Sequence, residues 1–185
     1  MSEYFGVDPD LHNTAVARIF EFEKLRFSVS LISVSKDLKN REAMIAMCQE
    51  VGRILTPIVQ HRIKTYNSFL AVEGQEFYLN KNAPSSDIGL LASVTGAVLS
   101  ASCDEDVFCP KPVEWKGNVP KAIHHGRIAK ELGFEISLAG GQNGYGVPTD
   151  EKIRKMLPNK SDWKHGMDAL GLALWARKQA GKVTK

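Results

Sequence analysis

Cysteine is scarce and unpaired in this sequence. Cys48, Cys103 and Cys109 make an odd number with no Cys-x-x-Cys spacing. That excludes a disulfide framework and a cysteine-rich zinc site, and it fits a reducing cytoplasm. No run of 18 uncharged apolar residues occurs, so no membrane span is expected. The opening MSEYFGVDPD lacks a basic segment followed by an apolar one. No signal peptide is therefore expected, and the chain should stay in the cytoplasm where it is made. Pro- or Ser-rich linkers and internal repeats are also missing. The 185 residues, 43% of them hydrophobic, read as one domain, 1–185, with a sizeable core.

Net charge is low at +3, but the two parts of the chain differ. Residues 1–110 carry 10 Lys and Arg against 14 Asp and Glu, a balance of −4. Residues 111–185 carry 14 against 7, a balance of +7. A basic part can attract phosphate while an acidic cluster elsewhere holds a cation. An ordinary solvated surface has the same composition, so charge alone decides nothing.

What the chain does have is a clear order of elements. Tyr4 to Pro9 and Thr14 to Phe22 flank a polar turn, which reads as a hairpin. Arg26 to Ser35 alternates apolar Phe27, Val29 and Leu31 with serines and predicts a third antiparallel strand. Asn40 is placed to cap a helix whose stripe is Met44, Cys48, Val51, Leu55 and Ile58, with Pro57 either kinking it or starting a new turn. Ser68 to Glu73 is a short apolar run ending in a carboxylate, which reads as a buried parallel strand added to the hairpin sheet. Pro84-Ser85-Ser86-Asp87 opens an almost wholly apolar helix, Ile88 to Ala101. That helix either lies deep in the monomer or meets a partner subunit.

Val107 to Val113 reads as a short or edge strand because of its prolines. Pro120 begins, and Gly133 stops, a helix over Lys121 to Gly133. Phe134 to Leu138 suggests a last strand, 140–146 a flexible glycine-rich loop, and Thr149 the cap of a short basic helix. A final helix is expected from about Ser161 to Lys178. The fold class is α/β, a mixed central sheet of about five strands flanked by helices.

Three acidic residues lie at the ends of elements. Asp8 follows apolar Phe5-Gly6-Val7, and Glu73 follows Leu70-Ala71-Val72. A buried carboxylate needs a partner or a metal, so each is either a turn or strand-end group or a ligand. If the two strands pair, the carboxylates stand side by side and call for a cation such as Mg²⁺ or Mn²⁺ between them. His165 and Asp168 are three apart and share one face of the last helix. Asp162 is a spare candidate on that face, or a partner for the helix dipole.

Gly6-Val7-Asp8-Pro9, Ala71-Val72-Glu73 and His165-Gly166-Met167-Asp168-Ala169-Leu170 resemble, in order and spacing, the three catalytic motifs of the RuvC family of Holliday-junction resolvases. Pro84 to Ala101 resembles that family's helix after the catalytic Glu. The resemblance spans residues 4 to about 177. It implies a ribonuclease H-like fold and a homodimer that cuts four-way DNA junctions by paired nicks, leaving 5′-phosphate and 3′-hydroxyl ends. It further implies that Asp8, Glu73, His165 and Asp168 bind two ions of Mg²⁺ or Mn²⁺. Two such ions would clamp the scissile phosphate, with Asp8 bridging them. A neutral histidine suits the softer Mn²⁺.

Lys116 and Lys121 are similarly placed to the family's active-site lysines, where an ammonium group steadies charge growing on phosphate. Phe77 and Tyr78 follow the catalytic Glu, where the family stacks an aromatic on junction bases; a core role for one of them is the alternative. His124 and His125 point about 100° apart on a helix and are expected at the surface or on phosphate, with Arg127 beside them as a DNA contact. The Trp115-Lys116-Gly117 arrangement is closer to the resolvase-related nucleases of bacteriophages, which implies a bacterial host cytoplasm. The competing functions are a ribonuclease H-type hydrolase of RNA–DNA hybrids and a non-catalytic DNA-binding module on the same fold.

Overall fold

The computed structural model describes residues 2–21, 23–63, 67–74, 85–102, 106–140 and 144–183, with the side chains of 58–63, 67, 85–87 and 183 left aside. Phe77, Tyr78 and Pro84 lie outside the described residues.

Three N-terminal strands, β1 (Ser2–Asp8), β2 (Asn13–Glu21) and β3 (Leu25–Ser33), form the expected antiparallel meander. The first turn closes because the Asp10 carboxylate accepts the backbone N–H groups of His12 and Asn13, at 2.9 and 3.2 Å. Strand β4 (Asn67–Val72) adds to β1 in parallel, and β5 (Val107–Phe108) adds to β4. The sheet order is β3-β2-β1-β4-β5, mixed and five-stranded as the sequence predicts.

The expected strand over 107–113 stops after two residues. Pro110 has no N–H for a ladder, and Pro112 begins instead a short helix, α3 (Pro112–Lys116). The Glu114 carboxylate reaches back to the Lys111 N–H at 2.6 Å, which favours the helical turn over an extended chain.

Alternation along the strands sorts side chains between two layers. Phe5, Val7, Leu70 and Val72 face α1 (Asn40–Ile63) and α2 (Ser85–Ser102), which bury Met47, Val51, Leu55, Val94 and Val98 against them. Helix α1 runs unbroken through Pro57. Its first helical residue is Asn40, and Glu42 accepts the Lys39 N–H at 3.2 Å, so the start is set one residue before the expected cap. Helix α2 buries one face on α1 and leaves Gly89, Ala92, Ser93, Gly96 and Ser100 exposed, so it is not deep in the monomer on every side.

Tyr4, Phe69 and Ala71 face the opposite way, toward α6 (Trp163–Val183). Gly6 follows the same alternation, and a Cβ there would lie 2.0 Å from the Ala169 carbonyl oxygen and 2.4 Å from the Ala173 nitrogen. Helix α6 therefore rests directly on β1 with no side chain between them. It is covered on its outer side by Trp115 of α3 and by Ile128 of α4 (Lys121–Leu132), both within 3 Å of where a Gly171 Cβ would be. Helix α4 starts after Pro120 and ends on Gly133 at φ 76°, a left-handed conformation that favours glycine.

The segment 134–161 departs from expectation. Strand β6 (Ile136–Ala139) does not join the main sheet but pairs with β7 (Tyr145–Pro148), a strand the sequence conceals, to make a separate hairpin against α4 and α6. Asp150, not Thr149, caps the next helix, α5 (Glu151–Arg154), by accepting the Lys152 N–H at 2.7 Å.

Candidate active site

The alternation that lays Tyr4 and Gly6 against α6 also turns Asp8 to that side. Phe69 and Ala71 do the same for Glu73, whose backbone N–H donates to the Val7 carbonyl at 3.0 Å and continues the parallel ladder past β4. Asp8 and Glu73 therefore emerge side by side at the carboxyl ends of neighbouring strands, under the first turns of α6. Asp168 descends from α6 beside them, and its charge is felt at Glu73. The close seat of α6 on Gly6 makes this possible. Three acids that lie far apart in sequence thus converge, and two of them, Asp8 and Asp168, are 6% and 4% exposed.

Burial of so much negative charge has a measurable signature. Glu73 is pushed up to about 8, first by desolvation, then by the Asp8 charge and a hydrogen bond between the two carboxyls, with a further contribution from Asp168. Lys116, at the end of α3, opposes this and stands 3.4 Å from Glu73. Asp168 is held below its usual value: burial alone would raise it, but hydrogen bonds from His125 and Lys121 outweigh that cost. Lys121, the first residue of α4, forms an ion pair with the second Asp168 oxygen.

His165 does join the group. Its Nδ1 is 2.8 Å from Asp8 Oδ2. Burial would lower its pKa, yet the bond to Asp8 and that carboxylate's charge raise it overall. Asp162 lies in the turn before α6 and accepts a hydrogen bond from Asn159 at 3.0 Å. Arg127 is exposed on α4.

The two adjacent histidines are not at the surface. His124 is buried edge-on against Trp115, its ring centroid 5.0 Å away, and its Nε2 has no hydrogen-bond partner among the described residues. Desolvation lowers its pKa to about 4, so it is a neutral interior group and not a phosphate contact. His125 is fully buried, with Nε2 3.0 Å from Asp168 Oδ1 and Nδ1 2.9 Å from the Gly146 nitrogen. The sequence held a signal for this. His125, Ile128, Ala129 and Leu132 fall at helical spacing on one buried stripe of α4.

Among the described residues no group of three or more His, Cys, Asp or Glu is arranged to hold a metal ion. Lysine and histidine hydrogen bonds answer the carboxylates instead. The donor set nevertheless fits a hard divalent cation: clustered carboxyl oxygens, with Glu73 pushed up to about 8 by burial and its neighbours' charge.

No family model matches the sequence, and no curated protein matches it. Solved structures do. The chain is similar to Thermus thermophilus RuvC in complex with Holliday junction substrate, with a TM-score of 0.59 and 19% identity over 98% of this chain and 97% of that one. It is also similar to a second Thermus thermophilus RuvC structure, with a TM-score of 0.57 and 18% identity over 97% of this chain and 96% of the other. The fold is therefore RuvC-like and ribonuclease H-like, with the mixed five-strand sheet and flanking helices of that class.

Proposed function

We propose that this chain is a divalent-metal-dependent endonuclease of branched DNA, acting on four-way junctions by paired nicks that leave 5′-phosphate and 3′-hydroxyl ends. One observation carries the reading. Asp8, Glu73 and Asp168, from three separate elements, converge at the carboxyl edge of the sheet with Lys116 and Lys121 against two of them. The RuvC-like fold supports it.

Asp8, Glu73, Asp168 and His165 would hold two ions of Mg²⁺ or Mn²⁺, which when bound supply an acidified water and charge stabilisation at phosphate. Asp8 is central because it touches both His165 and Glu73. To ligate, Glu73 must release its proton and His165 must be neutral; both steps favour metal capture as pH rises. Lys121 pairs with the Asp168 carboxylate, and Lys116 lies 3.4 Å from the Glu73 carboxyl. With those carboxyl groups engaged by metal, the two ammonium groups would be available to meet the phosphate and steady its growing charge. Lys121 opens α4, and the start of a helix favours an anion such as phosphate. Exposed Arg127 extends the basic face along the duplex backbone.

Two active sites are needed for paired nicks, so the chain works as a homodimer. We assign the contact to the outward small-residue face of α2, which permits close approach. Light scattering at micromolar concentration should return twice the monomer mass.

A labelled mobile junction and an RNA–DNA hybrid, at equal concentration in Mg²⁺ or Mn²⁺, test the function. Symmetric nicks mapped on the junction, lost in Asp8→Asn, are the expected result. Cleavage of the hybrid alone selects a ribonuclease H activity, and full cleavage by Asp8→Asn refutes the metal mechanism.

A further inference from the structure

The β6–β7 hairpin stands apart from the main sheet, yet it is tied to the site through one buried side chain. His125 lies between the Gly146 backbone nitrogen of β7 and the Asp168 carboxylate of α6. The chemistry of its two neighbours fixes its protons. The Gly146 N–H can only donate, so Nδ1 must present a lone pair. Asp168 Oδ1 accepts, so Nε2 must carry the hydrogen. The opposite tautomer sets N–H against N–H at 2.9 Å and a lone pair against a carboxylate oxygen at 3.0 Å. An imidazolium also leaves the Gly146 N–H facing another donor. Only the neutral Nε2–H form satisfies both contacts of this fully buried ring.

We propose that the hairpin is a rigid brace for the metal-binding carboxylate. It selects the Nε2–H tautomer of His125, and His125 as a positioning residue fixes the rotation of Asp168. Lys121 alone would not do so, because a half-exposed flexible ammonium can follow the carboxylate wherever it turns. Gly146 sits close beneath the ring: a Cβ there would meet Ile136 Cδ1 at 2.6 Å, which can swing aside, and His125 Cβ at 3.0 Å, which must give by a few tenths of an ångström. The inserted segment is thus coupled to Asp168 through a two-bond chain. This inference rests on Asp168 as a metal ligand; the tautomer does not.

Asparagine and glutamine dissect the brace. His125→Asn keeps an acceptor near Nδ1 but loses the donor to Asp168, whereas His125→Gln keeps a donor near Nε2. Mn²⁺ affinity by calorimetry should fall by about 10- to 100-fold in His125→Asn, and stay within about threefold in His125→Gln. Thermal melts in chelator show whether each variant is folded. Unchanged affinity in folded His125→Asn overturns the brace, as does an equal loss in His125→Gln, which would mark simple packing. Ring ¹⁵N shifts of metal-free wild type at pH 7.5 read the tautomer directly. A protonated Nδ1 refutes the proposal whatever the metal does, while a wild type without Mn²⁺ affinity but with the Nε2–H ring refutes the metal reading and leaves the tautomer standing.

Discussion

Glu73→Gln should make the metal-free protein more stable at alkaline pH while abolishing cleavage. Glu73 titrates at about 8 in the fold against 4.5 for a free carboxyl. Each unit is worth roughly 1.4 kcal/mol, so ionising it in place costs at most about 5 kcal/mol. Relaxation of the side chain, 14% exposed beside Lys116, reduces this to about 2–3 kcal/mol. The sign follows from the raised value. Protonation favours the folded state, so the contribution is fully present below pH 4.5 and is lost as pH rises through 8. Glutamine never pays that charge. The variant should match wild type near pH 4 and melt about 5–10 °C higher at pH 8.5 in chelator, at roughly 2–4 °C per kcal/mol for a chain of this size. Added Mn²⁺ should reverse the order by stabilising wild type alone. A variant that melts at or below wild type at pH 8.5, or with an offset independent of pH, refutes the reasoning.

Gly6→Ala should cost about 3 kcal/mol or more, or prevent folding, because its Cβ would enter the backbone of α6; Gly52→Ala, with open space around it on α1, should instead add about 0.5–1 kcal/mol, both read by urea melts. Lys121→Ala should slow single-turnover junction cleavage by about 10²-fold at saturating metal, and a rate within threefold of wild type would remove it from the site. His165 is held protonated by Asp8 to higher pH than a free histidine, so it stabilises the metal-free protein below about pH 6.5 and progressively less as pH rises through its raised value. Correspondingly, Mn²⁺ affinity should climb with pH, and His165→Asp should flatten that climb and shift preference toward Mg²⁺, as calorimetry at several pH values can show.

Asp8 and Glu73 were legible because each ends an apolar run, and period two then decides which face it takes; Asp168 instead opens one, on α6. Asp8 and Glu73 needed only the parallel pairing of β1 and β4 to meet. Other parts were hidden for physical reasons. Strand β7 is four residues long, includes Gly146 and Pro148, and exists because β6 and α4 offer it a surface; nothing local demands it. The apolar Val107 to Val113 looked extended, but Pro112 and the Glu114 back-bond make the helical turn cheaper. The histidines were misplaced because polar residues are read outward by default. His125 is buried only because Asp168 and Gly146 answer both its nitrogens, and those partners lie 43 and 21 residues away.

Where α6 crosses β1 at Gly6, main chain meets main chain. Most catalytic groups are held apart by side-chain layers, which repack when a methyl group is gained or lost. Here the distance between the two backbones that carry Asp8 and Asp168 is set by direct contact, with no side-chain layer to repack. The hydrophobic layers on either side can therefore drift in sequence without changing how close α6 lies to β1. The tolerance of that backbone contact is concentrated in one absent side chain.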